Sequence, residues 1–381
     1  MTAFITELDD EKLAVEQLKS QLKYDGNLLK NTIGIAACHY EFVLSGTYQT
    51  ICDALPFDIV GTISSSQSIH GECGSLSMSL IVLTSDDVEF DKVLTPSLLS
   101  EPGQVIADTY KSAVRAEKPA LVLTFGPFIP QNSGDEYVNV LTATSGGVPF
   151  FGTLAVDDTL DFANCFMLDD SGYHRDKMAM VLVYGDIQPK FFVANISESR
   201  ILEKSALVTK SAGPVLMEVN ERPVIDYLED LGLVEASETQ YAMTSIPFLL
   251  DYNDGTPKVS KIFVMLTPEK YALCAGSMPE GSTLYMATTD TKDIMLTTGE
   301  AIDSIIDNLS SASALLVYSC IGRSMTLGAD QFKEMELLDQ RIGGRMPFLM
   351  ATSGGEICPT QVSREKAINR FHNSAFIACL F

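Results

Sequence analysis

Arg323 is the residue whose position in the sequence most directly suggests chemistry. It stands three residues after the end of a strand-like apolar run, Leu315–Cys320. A guanidinium at the end of a buried strand costs desolvation free energy unless a carboxylate pairs with it. The sequence therefore predicts that Arg323 pairs either with a carboxylate of the protein, with Glu356 as the first candidate, or with the carboxylate of a ligand.

The segment from Arg323 to His372 differs in charge from the rest of the chain. It holds seven Lys and Arg residues against six Asp and Glu residues, a net +1, which leaves −25 for the remainder of a chain whose total is −24. It also contains the pair Gly354-Gly355, and glycine permits close approach of a backbone to another group. This pair indicates either a ligand contact or a structural turn that closes the last strands.

Cys320 and His372 form a second candidate constellation. A nearby base or cation activates a cysteine thiol as a nucleophile, so the two residues could serve a thiol-dependent hydrolase or acyltransferase. The competing interpretation is an inert thiol, because Cys320 ends an apolar strand. The chain has eight cysteines and no C-x-x-C pair, which favours buried free thiols over disulfides.

Other site types find little support in the sequence. His70 and Cys73 have the spacing of half a zinc site, but no second pair complements them, so no metal is predicted. A phosphate-binding glycine loop and a G-x-S-x-G elbow are absent from the sequence, and no cofactor is predicted. The acidic residues Asp157, Asp158 and Asp161 are most simply solvated turn residues.

Composition narrows the class of protein. The chain has 381 residues, 46% of them hydrophobic and 20% charged, enough for an extensive core. A net charge of −24 disfavours nucleic acids and anionic membranes as partners. Apolar runs such as Met178–Gly185 fall short of the ~20 residues that cross a bilayer. With no apparent signal sequence, the chain is expected to be cytoplasmic.

Three diverged copies of a strand–helix–strand–strand unit must position these residues. The proposed helices are 48–55, 135–144 and 331–342, and each leads to a proline-led strand, 56–62, 149–153 or 347–352. Apolar strands such as Met178–Val183 lack polar alternation, which predicts cover on both faces. The expected fold is α/β in the layered α+β sense, with mixed sheets covered by helices. The expected parts are an N-terminal helix (1–30) and two closely packed domains (31–215 and 216–381).

The C-terminal residues carry a family resemblance. The stretches LLVYSCIGRSMTLG, EMELLDQRI, MPFLMATSGGEICP and FHNSAF resemble the C-terminal half of FIST proteins, and FDIVGTISSSQSI and PFFGTLAVDD resemble the N-terminal half. The resemblance implies a sensory, signal-transduction module that binds a small ligand, with amino acids the suggested class, and is not an enzyme. Its signal would pass to a separate, unidentified partner protein. Met350 and Thr153 stand where the family commonly has glycine, and Met350 is expected to narrow or fill a cavity.

Under this resemblance, the candidate residues acquire roles as ligand contacts. Arg323 would hold the ligand carboxylate through a bidentate pair. The ligand ammonium would bind Glu356 or one of the carboxylates of Asp157 and Asp158. Orienting hydrogen bonds would come from His372 and Asn373. Close approach of the backbone would be allowed by Gly354 and Gly355, and Cys320 would lie beside them.

Overall fold

The computed structural model describes residues 1–159, 161–235, 242–363 and 366–381. Arg364 and Glu365, which were counted in the basic segment, lie outside the described residues. Among the described residues, none of the helices is both long enough and apolar enough to span a bilayer.

The chain folds in three successive parts, the last of which carries an insertion. The first part comprises β1 (Thr2–Ile5), α1 (Glu11–Leu22), β2 (Asn31–Cys38), α2 (Glu41–Leu44), α3 (Thr47–Asp53), β3 (Asp58–Ile63), β4 (Gln67–Ile69), β5 (Glu72–Gly74) and β6 (Met78–Ser85). The second comprises β7 (Glu89–Leu94), α4 (Pro102–Ala113), β8 (Leu121–Gly126), α5 (Gly134–Ser145), β9 (Phe150–Leu154), β10 (Met167–Asp169), β11 (Gly172–His174) and β12 (Ala179–Tyr184).

The third part begins with one strand, is interrupted by the insertion, and then resumes. The opening strand is β13 (Lys190–Ala194). The insertion comprises β14 (Ile201–Ala212), β15 (Val215–Val219), β16 (Arg222–Pro223), α6 (Val224–Asp230), β17 (Ala242–Asp251), β18 (Val259–Leu266), β19 (Ala272–Cys274) and β20 (Thr283–Ala287). The remainder comprises α7 (Thr291–Ile306), β21 (Leu315–Cys320), α8 (Ile321–Leu327), α9 (Lys333–Ile342), β22 (Phe348–Ser353), β23 (Gly355–Val362), β24 (Ala367–His372) and β25 (Phe376–Leu380).

Each part builds one mixed sheet, which confirms the repeated unit. The first sheet has the order β1-β6-β2-β3-β10-β11, the second β7-β12-β8-β9-β23-β24 and the third β13-β25-β21-β22-β4-β5. In each sheet the two central strands are parallel, namely β2 with β3, β8 with β9, and β21 with β22. The proline-led strand is the second member of each pair. The predicted layered α/β architecture is therefore confirmed.

The hairpins that complete the sheets are exchanged in a ring. The first part gives β4–β5 to the third sheet, the second gives β10–β11 to the first sheet, and the third gives β23–β24 to the second sheet. Each exchange happens where the proline-led strand ends and the chain crosses to its neighbour. A backbone hydrogen bond marks each crossing, at Val156 N to Ile63 O, Gly354 N to Leu154 O and Thr352 N to Ser66 O.

One apolar core lies between the inner faces of the three sheets. Strand alternation places Leu316 and Tyr318 of β21 in this core, whereas Leu315 and Val317 face outward toward α7 and α9. The outer faces of the first and second sheets pack against α1–α3 and against α4 and α5. The prediction that the apolar strands are covered on both faces is therefore confirmed.

The N-terminal region differs from the predicted helix over 1–30. Thr2–Ile5 form an edge strand that pairs with β6, and α1 begins only at Glu11. The Asp10 side chain caps this helix by accepting hydrogen bonds from the N–H groups of Lys12 and Leu13. Within this segment, the helical apolar spacing therefore applies to Glu11–Leu22 alone.

The insertion forms a small antiparallel barrel with its own core. Its sheet runs β14-β20-β17-β18-β19-β15-β16 and closes through an additional β14–β15 pairing. The predicted division between residues 215 and 216 falls at the start of β15. A buried ion pair joins the barrel to the second sheet's helix layer, since Lys261 Nζ of β18 lies 2.8 Å from an Asp135 oxygen on α5.

Candidate functional site

Arg323 lies in the first turn of α8 on the outer side of the third sheet, where it is 2% exposed. Its Nε and Nη2 donate to one oxygen of Glu334 at 3.1 and 2.9 Å. Nη2 also donates to the Thr298 hydroxyl at 2.7 Å and to the Ile294 carbonyl oxygen at 3.2 Å. The second oxygen of Glu334 accepts from the Ser319 hydroxyl at 2.7 Å. The guanidinium is therefore held by groups of α7 and α9, and Ser319 of β21 holds the carboxylate that pairs with it.

This network corrects the expected partner of Arg323, which is Glu334 rather than Glu356. The physical reason is the alternation of β21, because Ser319 points outward to Glu334 whereas Cys320 points inward. The charge and the hydrogen-bond donors of the Arg323 guanidinium, which could have bound a ligand carboxylate, instead contact groups of the protein. We therefore assign the arginine a structural role.

Glu356 lies at the end of the central core and is fully buried. Neither of its carboxyl oxygens has a hydrogen-bond partner of good geometry among the described residues. Burial raises the pKa of Glu356 to about 8, although the nearby Ser353 hydroxyl, the Cys320 thiol and the Ala375 N–H each favour the ionised form. A carboxyl group with no firm partner in this position carries a large desolvation cost when it is charged.

His372 faces Glu356 directly across the β23–β24 pair and is also fully buried. Its Nε2 lies 3.2 Å from the carbonyl oxygen of Cys358, which accepts, so Nε2 carries the ring proton. Burial lowers the pKa of His372 to about 3, and the ring is therefore neutral at ordinary pH. Its Nδ1 is then an acceptor, and it has no partner among the described residues.

Asn373 follows at the end of β24, where its backbone N–H donates to the Ser260 carbonyl oxygen of the barrel at 3.0 Å. Its side-chain Oδ1 is buried and has no partner in the described part of the chain. Glu356, His372 and Asn373, which we call the acceptor cluster, each have a buried polar atom without a partner among the described residues. The His372 and Asn373 atoms accept hydrogen bonds. The Glu356 carboxyl, protonated at neutral pH because burial raises its pKa to about 8, offers acceptor capacity and one O–H donor.

Cys320 lies next to Glu356 at the inner end of β21. Burial raises the pKa of the Cys320 thiol well above its usual value, and the neighbouring Glu356 carboxyl raises it further. Nothing in the described structure joins this thiol to His372, whose Nε2 is occupied by Cys358. A protonated thiol beside a neutral imidazole lacks the thiolate that a cysteine nucleophile needs.

Other parts of the protein leave no room for a side chain at Gly354 or Gly355. A Cβ at Gly354 would lie 2.5 Å from the Ala155 carbonyl oxygen, and one at Gly355 would lie 2.2 Å from the Phe371 ring. Both glycines therefore allow β22 to cross to β23 against other parts of the chain. The sequence allowed two interpretations of this pair, a ligand contact or a structural turn, and the observed crossing matches the structural turn.

The two aspartates are engaged elsewhere. Asp157 organises its own loop, accepting from Thr159 N at 3.1 Å and from Asn164 N at 2.7 Å. Asp158 lies 3.3 Å from His39 Nε2. Asp157 thus has hydrogen bonds to both oxygens and is 1% exposed, so it is a buried loop residue and not the solvated turn residue that the sequence predicts.

The two departures from the family glycines also have structural explanations. Met350 is 1% exposed and packs in the outer apolar layer of the third sheet, so it fills space beneath the helices and not in the acceptor cluster. The Thr153 hydroxyl donates to Ser353 Oγ at 2.7 Å. This contact connects the second sheet to the residue that lies beside Glu356.

Sequence reasoning missed the role of Glu334 as the partner of Arg323. It considered Ser353 only as a small residue beside the glycine pair and missed its position next to Glu356. Glu334 could have been found, because it lies four residues before Leu338 and eight before Ile342, on the buried face of α9. A carboxylate on that face needs a cation, and Arg323 is near in sequence. Ser353 gave no comparable signal, since serine is common in the turn after a strand.

Thiols and histidines elsewhere do not assemble a metal site. No group of three or more His, Cys, Asp or Glu side chains suited to a metal ion occurs among the described residues. All eight cysteines are free, and only Cys73 is exposed. The prediction of mostly buried free thiols is confirmed.

Comparison with known proteins gives the family. Residues 32–222 match the FIST N domain, and residues 226–359 match the FIST C domain. No curated protein matches the chain. Among solved structures, a cyanuric acid hydrolase from A. caulinodans is similar at 7% identity and a TM-score of 0.37, over 100% of this chain and 97% of that one. A TM-score this low supports no conclusion about the fold or activity of the chain.

Proposed function

The chain belongs to the FIST family, and from that premise we propose that it is a cytoplasmic sensory module for a small polar ligand, an amino acid or a related amine. FIST domains are associated with sensory and signalling roles. The ligand would bind at the acceptor cluster, and the signal would pass to a separate partner protein.

The observation that carries this proposal is the pair of unpaired carboxyl oxygens of Glu356. A buried polar group without a partner costs about 1–3 kcal/mol, and more when it is charged. The unpaired atoms of His372 and Asn373 are acceptors as well. An ammonium group, with several N–H donors and a positive charge, would satisfy these acceptors, and its charge would favour loss of the Glu356 proton on binding.

The ligand carboxylate has no assigned partner in this proposal. Arg323 is committed to Glu334, and Lys261 is committed to Asp135. Recognition would therefore depend on the amine end of the ligand. This narrows the class of ligand from amino acids in general to molecules that present an accessible ammonium group.

The thiol-enzyme alternative receives less support. Burial raises the pKa of Cys320 and lowers that of His372 to about 3, which is the opposite of what a thiolate–imidazolium pair requires. The contacts of His372 and Cys320 are with Cys358 and Glu356, respectively. We therefore propose ligand binding without catalysis.

A thermal-shift screen of the full chain tests the proposal. The panel holds amino acids, their N-acetyl derivatives, which lack the ammonium, and their amides, which lack the carboxylate. A ligand at 100 times its Kd stabilises the folded state by about 2.7 kcal/mol. We expect shifts with free amines and amides, and none with N-acetyl derivatives.

Glu356→Gln should abolish the shift, and Glu336→Gln should retain it, because Glu336 is an exposed glutamate on α9. Flat melting curves across the panel would contradict ligand sensing. An equal shift in Glu356→Gln and wild type would place the ligand elsewhere in the protein.

A further inference from the structure

The strand β13 forms one edge of the third sheet. It pairs with β25 over Lys190–Ala194, and no second strand pairs with it among the described residues. In an antiparallel pair, alternate residues turn their N–H and C=O groups away from the partner strand. An edge of this kind is a template for a further strand.

A cavity of about 520 Å³ runs along this edge. Residues 191–198 line one side of it, and the other side is a single face of α7 that includes Thr297, Ala301 and Ser304. Beyond β13 the backbone is already engaged, because Ile196 N donates to Ser260 Oγ at 3.1 Å. These helix residues are spaced four and three apart, so they lie one above another along the helix. The result is a groove between an edge strand and a helix, which we call the β13 groove.

The first sheet shows how the same kind of edge is closed elsewhere in this chain. There the Gln21 side chain of α1 accepts from Phe4 N and donates to Phe4 O, both at 2.7 Å, as a paired strand would. Gln17 Oε1 accepts from Thr6 N at 3.0 Å. The short side chains of Thr297, Ala301 and Ser304 cannot reach the β13 backbone in this way.

The charge of the β13 groove indicates what would occupy it. Its lining contains two acidic residues, Glu198 and Glu300, and no lysine or arginine. Glu198 is paired with Lys258, but Glu300 is exposed and makes no ion pair within the described residues. The apolar residues Phe191 and Val193 also line the groove, so an occupant with alternating apolar and basic side chains would match it.

From these observations we propose that the β13 groove docks an extended, basic segment of a separate protein, which adds a strand to the third sheet. Main-chain hydrogen bonds to β13 would supply affinity, and Glu300 would select a basic side chain. This deepens the proposed function by giving the chemistry of the signalling partner. The docking does not depend on the ligand, so the two ideas can fail separately.

The test is selection from a display library of random decapeptides on the immobilised full chain, followed by affinity measurement with the enriched peptides. We expect enrichment of sequences that alternate β-branched residues with Lys or Arg. Ala301→Gln, which places a capping amide in the groove, and Glu300→Lys should each weaken binding at least tenfold. Glu16→Lys, an exposed glutamate on α1, is the matched control and should bind as wild type does.

Amide hydrogen exchange then locates the bound peptide. Protection should appear within residues 191–194 of β13 and not at Thr2–Ile5, where α1 already caps the edge. No enrichment above background, equal binding to the groove variants, or protection at another strand would overturn the proposal. Protection of residues 191–194 without peptide, together with a dimer in sedimentation, would overturn it in favour of a second copy as the occupant.

Discussion

Arg323 and Glu334 are both almost fully buried, and two guanidinium nitrogens donate to the same oxygen of Glu334. This ion pair links α8 to α9 on the outer side of the third sheet. A buried ion pair of this kind has a large effect when one partner is removed, because the other charge is left without compensation.

Arg323→Ala should lower the free energy of unfolding by about 3–5 kcal/mol, measured by urea denaturation. Replacing both partners with apolar residues, Arg323→Met with Glu334→Leu, should restore most of that loss, since no buried charge then remains unpaired. If Arg323→Ala unfolded like wild type but lost ligand binding, the arginine would instead belong to a ligand site.

The protonation of Glu356 should make stability depend on pH. Its pKa in the folded protein, about 8, is above the ordinary 4.5, so the folded state binds the proton more tightly than the unfolded state. The resulting stabilisation is complete below about pH 4.5 and is lost as pH rises toward 8. The Glu356→Gln variant has no titratable group at this position, so its stability lacks this dependence on pH.

The difference in unfolding free energy between Glu356→Gln and wild type should therefore shift in favour of the variant as pH rises from 4.5 to 8. The slope should approach about 1.4 kcal/mol per pH unit. Urea titrations at pH 5, 6, 7 and 8 measure it. A difference that does not change with pH would show that Glu356 has a normal pKa.

Native alkylation should modify one thiol of the eight. Cys73 is exposed, whereas the other seven cysteines are buried. Iodoacetamide reacts with the thiolate, and burial raises the pKa of thiols such as Cys320 and Cys358. Mass spectrometry should find label at Cys73 before unfolding and at all eight positions after it. Fast labelling of Cys320 in the folded protein would favour the thiol-enzyme alternative.

The ion pair between Lys261 and Asp135 should hold the barrel against the second sheet's helix layer. Lys261 is fully buried, and Asp135 also accepts from the Ser277 N–H at 2.7 Å. Asp135→Asn should cost about 3–5 kcal/mol and speed hydrogen exchange in β18. Asp254→Asn, which removes the more exposed partner of Arg370, is the control and should cost at most about 1 kcal/mol. Equal losses of unfolding free energy in the two variants would mean that other contacts hold the barrel against the second sheet's helix layer.

Local patterns in the sequence were sufficient to predict the repeated strand–helix–strand–strand unit. The apolar runs that became β2, β8 and β21, and the proline-led strands after them, carry their own periodicity and turn residues. The exchange of hairpins was not predictable in this way. Gln67–Ile69 pairs with Met350 and Ala351, almost three hundred residues later, and a short polar strand does not encode so distant a partner.

The candidate site was predicted in part. Glu356, His372 and Cys320 do lie together at one end of the core, but Arg323 faces the opposite side of its sheet. The sequence shows that Arg323 needs a carboxylate, and the same segment offers six. Only strand alternation in β21 and the buried face of α9 distinguish Glu334 from Glu356.

The ring of exchanged hairpins has a consequence for how the chain can be divided. The third sheet is built mostly from residues after 313, yet its last two strands come from residues 67–74. A fragment cut at the junction of the two family domains would therefore leave unsatisfied sheet edges on both sides of the cut, with a tendency to aggregate. Complementary halves would regain the native sheets only by combining with each other.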